Sequence, residues 1–190
     1  AYGHRWLHVA EPGYGVGLLT PTSYGHDVHR VTRPEGGTTT TVRLTLLRAP
    51  RFPDPRADRG RHRFRYALLA GADTAGTVRA GYAYALPLRV TPGAGVSPLV
   101  AVDDPRVAVE AVKLADDRSG DLVVRLYEAV GGHARATVTL PAGFGPPAAV
   151  DLLEEPLTDP ALRPGIDPAP GGCRLSLRPF QIATLRAPRT

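Results

Sequence analysis

The sequence predicts an all-β chain of two units, and three observations carry that prediction. Apolar residues recur at every second position in short runs, the period of half-buried strands. Turn chemistry separates the runs: Glu11-Pro12-Gly13, Asp117–Gly120 and Gly131-Gly132. Between Val90 and Pro98 the composition changes to TPGAGVSP, where Val96 is the sole bulky residue. Such a linker marks a domain boundary, giving units 1–94 and 95–190.

In chain order, Arg5–Ala10 and Tyr14–Thr20 read as strands joined by the Pro-Gly turn. Gly13, Gly15 and Gly17 do not form a phosphate-binding loop, because a strand and Pro21 follow where a dinucleotide fold needs a helix. Glycines at alternate positions leave one strand face bare, the mark of a bulge or a closely packed backbone. Ser23–Thr32 is a third strand and Arg33–Thr38 a loop. Val42–Leu47 and Arg61–Leu69 alternate apolar with polar residues and are predicted strands. Asp73–Gly76 is a predicted loop, and Thr77–Leu86 a helix stopped by Pro87, since Val78, Tyr82 and Leu86 recur at helical spacing. Beyond the boundary, seven strands are predicted: Leu99–Val102, Val107–Leu114, Leu122–Ala129, Ala134–Leu140, Ala148–Leu153, Arg174–Leu177 and Gln181–Leu185. Short strands at this spacing indicate a β-sandwich. Asp117–Gly120 and Gly131-Gly132 are predicted hairpin turns.

The linker between Val42–Leu47 and Arg61–Leu69 is the most informative stretch. Pro50, Pro53 and Pro55 bias it towards extended backbone, and it ends at Asp58-Arg59-Gly60. A guanidinium fixed beside a flexible glycine suits recognition of an anion, a carboxylate or vicinal hydroxyls. Equally, Arg59 can pair with Asp54 or Asp58 and only pin the loop.

Composition excludes several classes. With 43% hydrophobic residues the chain can bury a core without disulfides, and Cys173 stands alone, flanked by strand residues that make it a buried hydrophobe. No apolar run approaches a membrane helix, and no signal peptide is visible, so a cytoplasmic location is expected. Methionine is absent even at position 1, so Ala1 is expected not to be a translational start. The net charge of +5 rests on arginines spread along strands, which argues for a solvated sheet face rather than nucleic-acid binding. His26 and His29 point to opposite strand faces, and His4 and His8 stand about 13 Å apart at strand rise. Neither makes a metal-chelating pair, and each is expected to be hydrogen-bonded or exposed. The pairs Asp103-Asp104, Asp116-Asp117 and Glu154-Glu155 border turns and read as solvated carboxylates. No G-x-S-x-G, H-E-x-x-H, C-x-x-C or Walker lysine occurs.

Several stretches together resemble bacterial α-mannosidases of glycoside hydrolase family 38. They are LLRAPRFPDPRADRGRHRFRYALL (Leu46–Leu69), EPGYGVGLLTPTSYGHDV (Glu11–Val28), VRLTLLRAP (Val42–Pro50), Ser97–Gly131 and LSLRPFQIATLR (Leu175–Arg186). The resemblance implies that 1–94 closes a galactose-mutarotase-like supersandwich and that 95–190 is a C-terminal immunoglobulin-like β-sandwich. It implies a parent enzyme that hydrolyses terminal α-mannosides with zinc and an aspartate nucleophile, both held by an N-terminal catalytic domain that this sequence lacks. His26-Asp27 and His62 do not recreate the family's H-x-D pair, so no catalytic residue and no zinc ligand is expected here. Asp58-Arg59-Gly60 is similar to a family loop that places an arginine on the active-site floor. By that resemblance Arg59 is an auxiliary active-site residue, with Asp58 and His62 in support. The expected partners are an α-mannoside, the missing catalytic domain, and strands from another fragment or a second copy in a homo-oligomer, with no nucleic acid or membrane. The competing reading is a free-standing carbohydrate-binding or adhesion module, which the single tryptophan, Trp6, disfavours.

Overall fold

A computed structural model describes residues 1–93, 95 and 97–190. The chain forms two compact units, Ala1–Arg89 and Val90–Thr190. The boundary expected at residues 94 and 95 falls on Ala94, which with Val96 lies outside the described residues.

In the first unit β1 (Arg5–Glu11) and β2 (Tyr14–Thr20) form an antiparallel hairpin. Pro12-Gly13 turns it, with Gly13 at φ +84°, a value that suits glycine. β3 (His26–Thr32) and β4 (Thr38–Leu44) form a separate two-stranded hairpin. β5 (Ala67–Ala70) joins the other edge of β2, giving the order β1-β2-β5. Three expected strands are thus displaced or shortened, the expected Ser23–Thr32 beginning only at His26. Val42–Leu47 gives way to Thr38–Leu44, because register with β3 recruits Thr38 from the end of the expected loop together with Thr39, Thr40 and Thr41. Arg61–Leu69 pairs only from Ala67, which faces Leu19; β2 ends one residue later at Thr20, before Pro21, so the residues preceding Ala67 have no neighbour to pair with.

The helix α1 (Thr74–Ala85) starts three residues before the expected position. Asp73, read as loop, caps it: its carboxylate accepts the Gly76 N–H at 2.6 Å. The helix lies on the β1–β2 face that the alternating glycines leave bare. A Cβ on Gly17 would stand 2.8 Å from Thr77 Cγ2, and one on Gly15 would stand 2.4 Å from the Ala72 carbonyl oxygen. Gly81 in turn admits Trp6, whose Cδ1 would lie 3.0 Å from an added Cβ. Of the alternating glycines, Gly17 therefore beds the helix, Gly15 makes room for the His8 ring and the chain entering the helix at Ala72, and Gly13 serves the turn.

The second unit is a sandwich of two four-stranded antiparallel sheets. Its strands are β6 (Ala101–Val102), β7 (Val107–Leu114), β8 (Leu122–Glu128), β9 (Ala134–Thr139), β10 (Ala148–Val150), β11 (Gly165–Ala169), β12 (Gly172–Leu177) and β13 (Ile182–Ala187). One sheet has the order β10-β13-β8-β7 and the other β11-β12-β9-β6. Alternate residues of each central strand enter one core: Leu122, Val124 and Leu126 from β8 meet Ala134, Ala136 and Val138 from β9, with matching triplets from β12 and β13. Cys173 is among them, fully buried.

Asp117–Gly120 does turn the β7–β8 hairpin. Gly131-Gly132 does not turn a hairpin: β8 and β9 belong to different sheets, and the glycines carry the chain across the sandwich. A buried carboxylate fixes that crossing. Glu128 accepts N–H bonds from Val130 at 2.9 Å, Gly131 at 2.8 Å and Phe180 at 3.0 Å, tying the β8–β9 and β12–β13 connections to one point. Strand β11 lies between the expected strands Ala148–Leu153 and Arg174–Leu177, where no strand is predicted; Pro168 hides it, and as an edge strand it tolerates the missing N–H.

Candidate functional site

The linker after β4 contains every residue singled out for function. Its turn is local: the Asp54 carboxylate accepts the Arg56 N–H at 2.9 Å, and the Arg59 N–H donates to the Arg56 carbonyl at 3.0 Å. Gly60 follows at φ +139°, a conformation closed to other residues. His62 returns to the turn, with Nε2 donating to the Asp58 main-chain carbonyl at 2.7 Å. Its ring stacks on Phe64, with centroids 6.0 Å apart. The fold thus brings His62 to the Asp58 main chain and leaves Arg59 exposed. Among the described residues no ion pair involves Arg59, Asp54 or Asp58. The loop is therefore pinned by main-chain bonds, not by the Arg59–aspartate pair that residue spacing allows.

Beside this linker the first unit carries an open groove of about 670 Å³. Leu7, Val9, Val16 and Leu18 form its floor; Val42, Leu44 and Leu46 line it with Tyr66 and Leu68; Glu11, Arg30, Thr38 and Thr40 supply its polar groups. Leu68 is 74% exposed and Tyr66 59%, an apolar wall open to solvent. Periodicity of β1, β2 and β4 shows the apolar faces, but only the tertiary arrangement shows that nothing in these residues closes over them.

Asp103, Asp116, Asp117 and Glu155 are exposed as expected of turn carboxylates, whereas Glu154 is buried, and most of the acidic pairs also serve local structure. Asp103 accepts the Thr137 N–H at 2.7 Å, and Asp104 holds Arg106 at 2.6 Å. Glu154 is buried, at φ +70°, and meets Lys113, the only lysine, at 2.6 Å and the Asp116 N–H at 2.8 Å. Asp117 is held down to a pKa of about 2 by the Ser119 N–H and by Arg186. Arg186 also binds Asp121 at 2.8 Å. Burial pushes the Glu128 carboxyl up, but the N–H groups of Phe180, Val130 and Gly131 outweigh it and hold the group below its ordinary value. These carboxylates serve turns and strand ends, so none is spare for acid–base work.

Four histidines bear on metal binding. His8 is hydrogen-bonded, with Nε2 at 2.9 Å from the Ala72 carbonyl oxygen and Nδ1 at 3.1 Å from Thr74 Oγ1. His4 stacks on Tyr24 and His29 is exposed. His26 departs from expectation: it is 4% exposed, and among the described residues neither ring nitrogen has a hydrogen-bond partner. Burial pushes its pKa below the ordinary value, keeping the ring neutral. Among the described residues no three His, Cys, Asp or Glu side chains converge on a point where a metal ion would sit.

Known proteins match this chain along nearly its whole length. The glycosyl hydrolases family 38 C-terminal domain matches residues 1–56, and the family 38 C-terminal beta sandwich domain matches residues 106–185. Human alpha-mannosidase 2C1 is 34% identical over 194 residues, covering 97% of this chain and 17% of that protein. A Saccharomyces cerevisiae alpha-mannosidase is 28% identical over 209 residues, covering 96% and 18%. An alpha-mannosidase structure from Enterococcus faecalis V583 superposes with a TM-score of 0.64 at 21% identity, over 98% of this chain and 21% of that one. The chain therefore spans under a fifth of the curated relatives it matches. Two models of one family matching in chain order, with an all-β fold shared by its solved members, lead to one conclusion: this chain belongs to glycosyl hydrolase family 38, as its C-terminal β region.

Proposed function

We propose that this chain is the non-catalytic C-terminal part of a retaining, zinc-dependent α-mannosidase, cytoplasmic in location, whose nucleophile and zinc ligands lie on polypeptide outside these 190 residues. The observation that carries the proposal is the collinear match to human alpha-mannosidase 2C1, 34% identical over 97% of this chain and confined to 17% of that protein. The histidines and carboxylates do not fit a zinc site, because among the described residues no three such side chains converge on one point. No step of the reaction is assigned to them. On this reading 1–94 closes a mutarotase-like β-domain and 95–190 is the terminal immunoglobulin-like sandwich.

Within that enzyme Arg59 is the auxiliary residue, with Asp58 and His62 holding its turn. An exposed guanidinium that makes no ion pair among the described residues, on a loop pinned by its own backbone, can meet carboxylates or sugar hydroxyls bidentately. Steady-state hydrolysis of an aryl α-mannoside by the full-length enzyme, with and without chelator, tests both parts. Chelator should abolish turnover. Arg59→Ala should lower kcat/KM by about 10- to 100-fold with an unchanged Tm, the scale typical of groups that orient a metal-site chemistry. Unaltered kinetics would remove Arg59 from the site, and turnover indifferent to chelator would remove zinc. The binding-module alternative is disfavoured by Trp6, the one tryptophan, which packs against Gly81.

A further inference from the structure

Arg61–Arg65 has the sequence of a strand and no neighbour to pair with. Side chains alternate through the run, arginine at 61, 63 and 65, His62 and Phe64 between them. The segment passes without turn or bend into β5, the edge strand of its sheet. The stacking of His62 on Phe64 places those two rings on one face, as residues two apart in an extended chain must be. The arginines take the other face and are exposed. None of the main-chain N–H or C=O groups of Arg61–Arg65 is hydrogen-bonded among the described residues, because β2 stops at Thr20. An extended run with its ladder positions open pairs readily with an added strand.

The charge says what kind of strand. Seven arginines and two aspartates stand between Arg48 and Arg65. No ion pair among the described residues engages Arg61 or Arg63, and Arg65 lies over the Tyr84 ring at 5.5 Å. Alternate residues of a strand stand about 6.7 Å apart, so carboxylates at every second position of a partner strand would meet the three guanidiniums in register. A nucleic acid would use the positive charge but leave the main-chain groups unpaired, and the stacked His62 and Phe64 rings are turned to each other. A second copy of this chain cannot supply the partner: none of its 18 acidic residues lies two positions from another.

We propose that Arg61–Arg65 pairs as a β-strand with an extended segment bearing alternate carboxylates, supplied by the family 38 polypeptide beyond the under-one-fifth that this chain spans. The pairing continues the outer sheet past β5 and draws the Asp58–Arg59 turn against that same polypeptide. It rests on main-chain pairing and on Arg61 and Arg63, so it stands or falls separately from the kinetic role of Arg59.

Hydrogen–deuterium exchange on the 190-residue chain tests it, with a nonapeptide of alternating Glu and Val as the probe. The amides of Arg61–Arg65 should slow by about tenfold or more at millimolar peptide, as for groups entering a ladder. The same peptide N-methylated at alternate positions, which cannot form a ladder, should give no slowing. The double variant Arg61→Glu, Arg63→Glu should weaken peptide binding by at least about tenfold, while exchange in β8, β12 and β13 stays unchanged to show an intact fold. Absence of slowing, equal slowing with the N-methylated peptide, or greater slowing with oligothymidylate would each overturn the proposal.

Discussion

At position 26 a buried imidazole makes no hydrogen bond through either ring nitrogen among the described residues, which costs roughly 1–3 kcal/mol relative to a site that satisfies them. His26→Leu should therefore leave stability at neutral pH unchanged or raise it by up to about 1 kcal/mol. The pH dependence follows from the lowered pKa. Below the unfolded value the unfolded chain takes up a proton that the native ring refuses, so the native protein loses stability as pH falls through about 6.5. The leucine variant should lack that decline between pH 7 and 5 in urea midpoints. A variant that loses several degrees of Tm at pH 7 would show that the ring is held by contacts an apolar residue cannot make. Sequence spacing excluded His26 from a chelating pair and could not show its burial, which depends on the chain segments folded round it. Glu154 is the same case: a turn carboxylate by its neighbours in sequence, buried because Lys113 lies on a strand 41 positions earlier.

Elements were legible where the signal is local. The β1–β2 turn is written in Pro12-Gly13, β7 in its alternation, and α1 in its four-residue spacing. The failures share a cause. The Gly131-Gly132 crossing, the short β5 and the edge strand β11 are each decided by which strand lies alongside, and adjacency is not a local property. The alternating glycines sit between these cases. Their bare face was readable, and its occupant was not. Because Gly17 lies under the Thr77 side chain and Gly15 under both the His8 ring and the Ala72 main-chain carbonyl, the two should respond differently to a methyl group. Gly17→Ala alone should cost about 1–3 kcal/mol by overpacking, and Thr77→Ser, which deletes the Cγ2 methyl in the way, should return much of that loss. Gly15→Ala should be worse and not rescued by Thr77→Ser, since a carbonyl oxygen cannot be trimmed. Urea titration of the three single variants and two pairs gives the comparison, and an additive Gly17–Thr77 pair would refute the contact.

For the whole molecule the decisive contrast is between a closed core and an open one. In Val90–Thr190 the alternate residues of β8, β9, β12 and β13 meet face to face, and Leu126, Val138 and Cys173 are wholly removed from solvent. Ala1–Arg89 instead buries its helix bed but leaves Tyr66, Leu68 and the apolar wall of its groove in water. Hydrophobic stabilisation scales with the apolar area removed from water, so the second unit should hold its structure under conditions that open the first. Exchange protection followed by mass spectrometry through a urea series should show β1–β5 losing protection at a lower denaturant concentration than β8, β12 and β13. The acidic peptide proposed for Arg61–Arg65 should raise the first midpoint and leave the second in place, because a ligand stabilises only the unit whose native state it binds. A single midpoint shared by all strands, or first loss in the sandwich, would contradict the contrast.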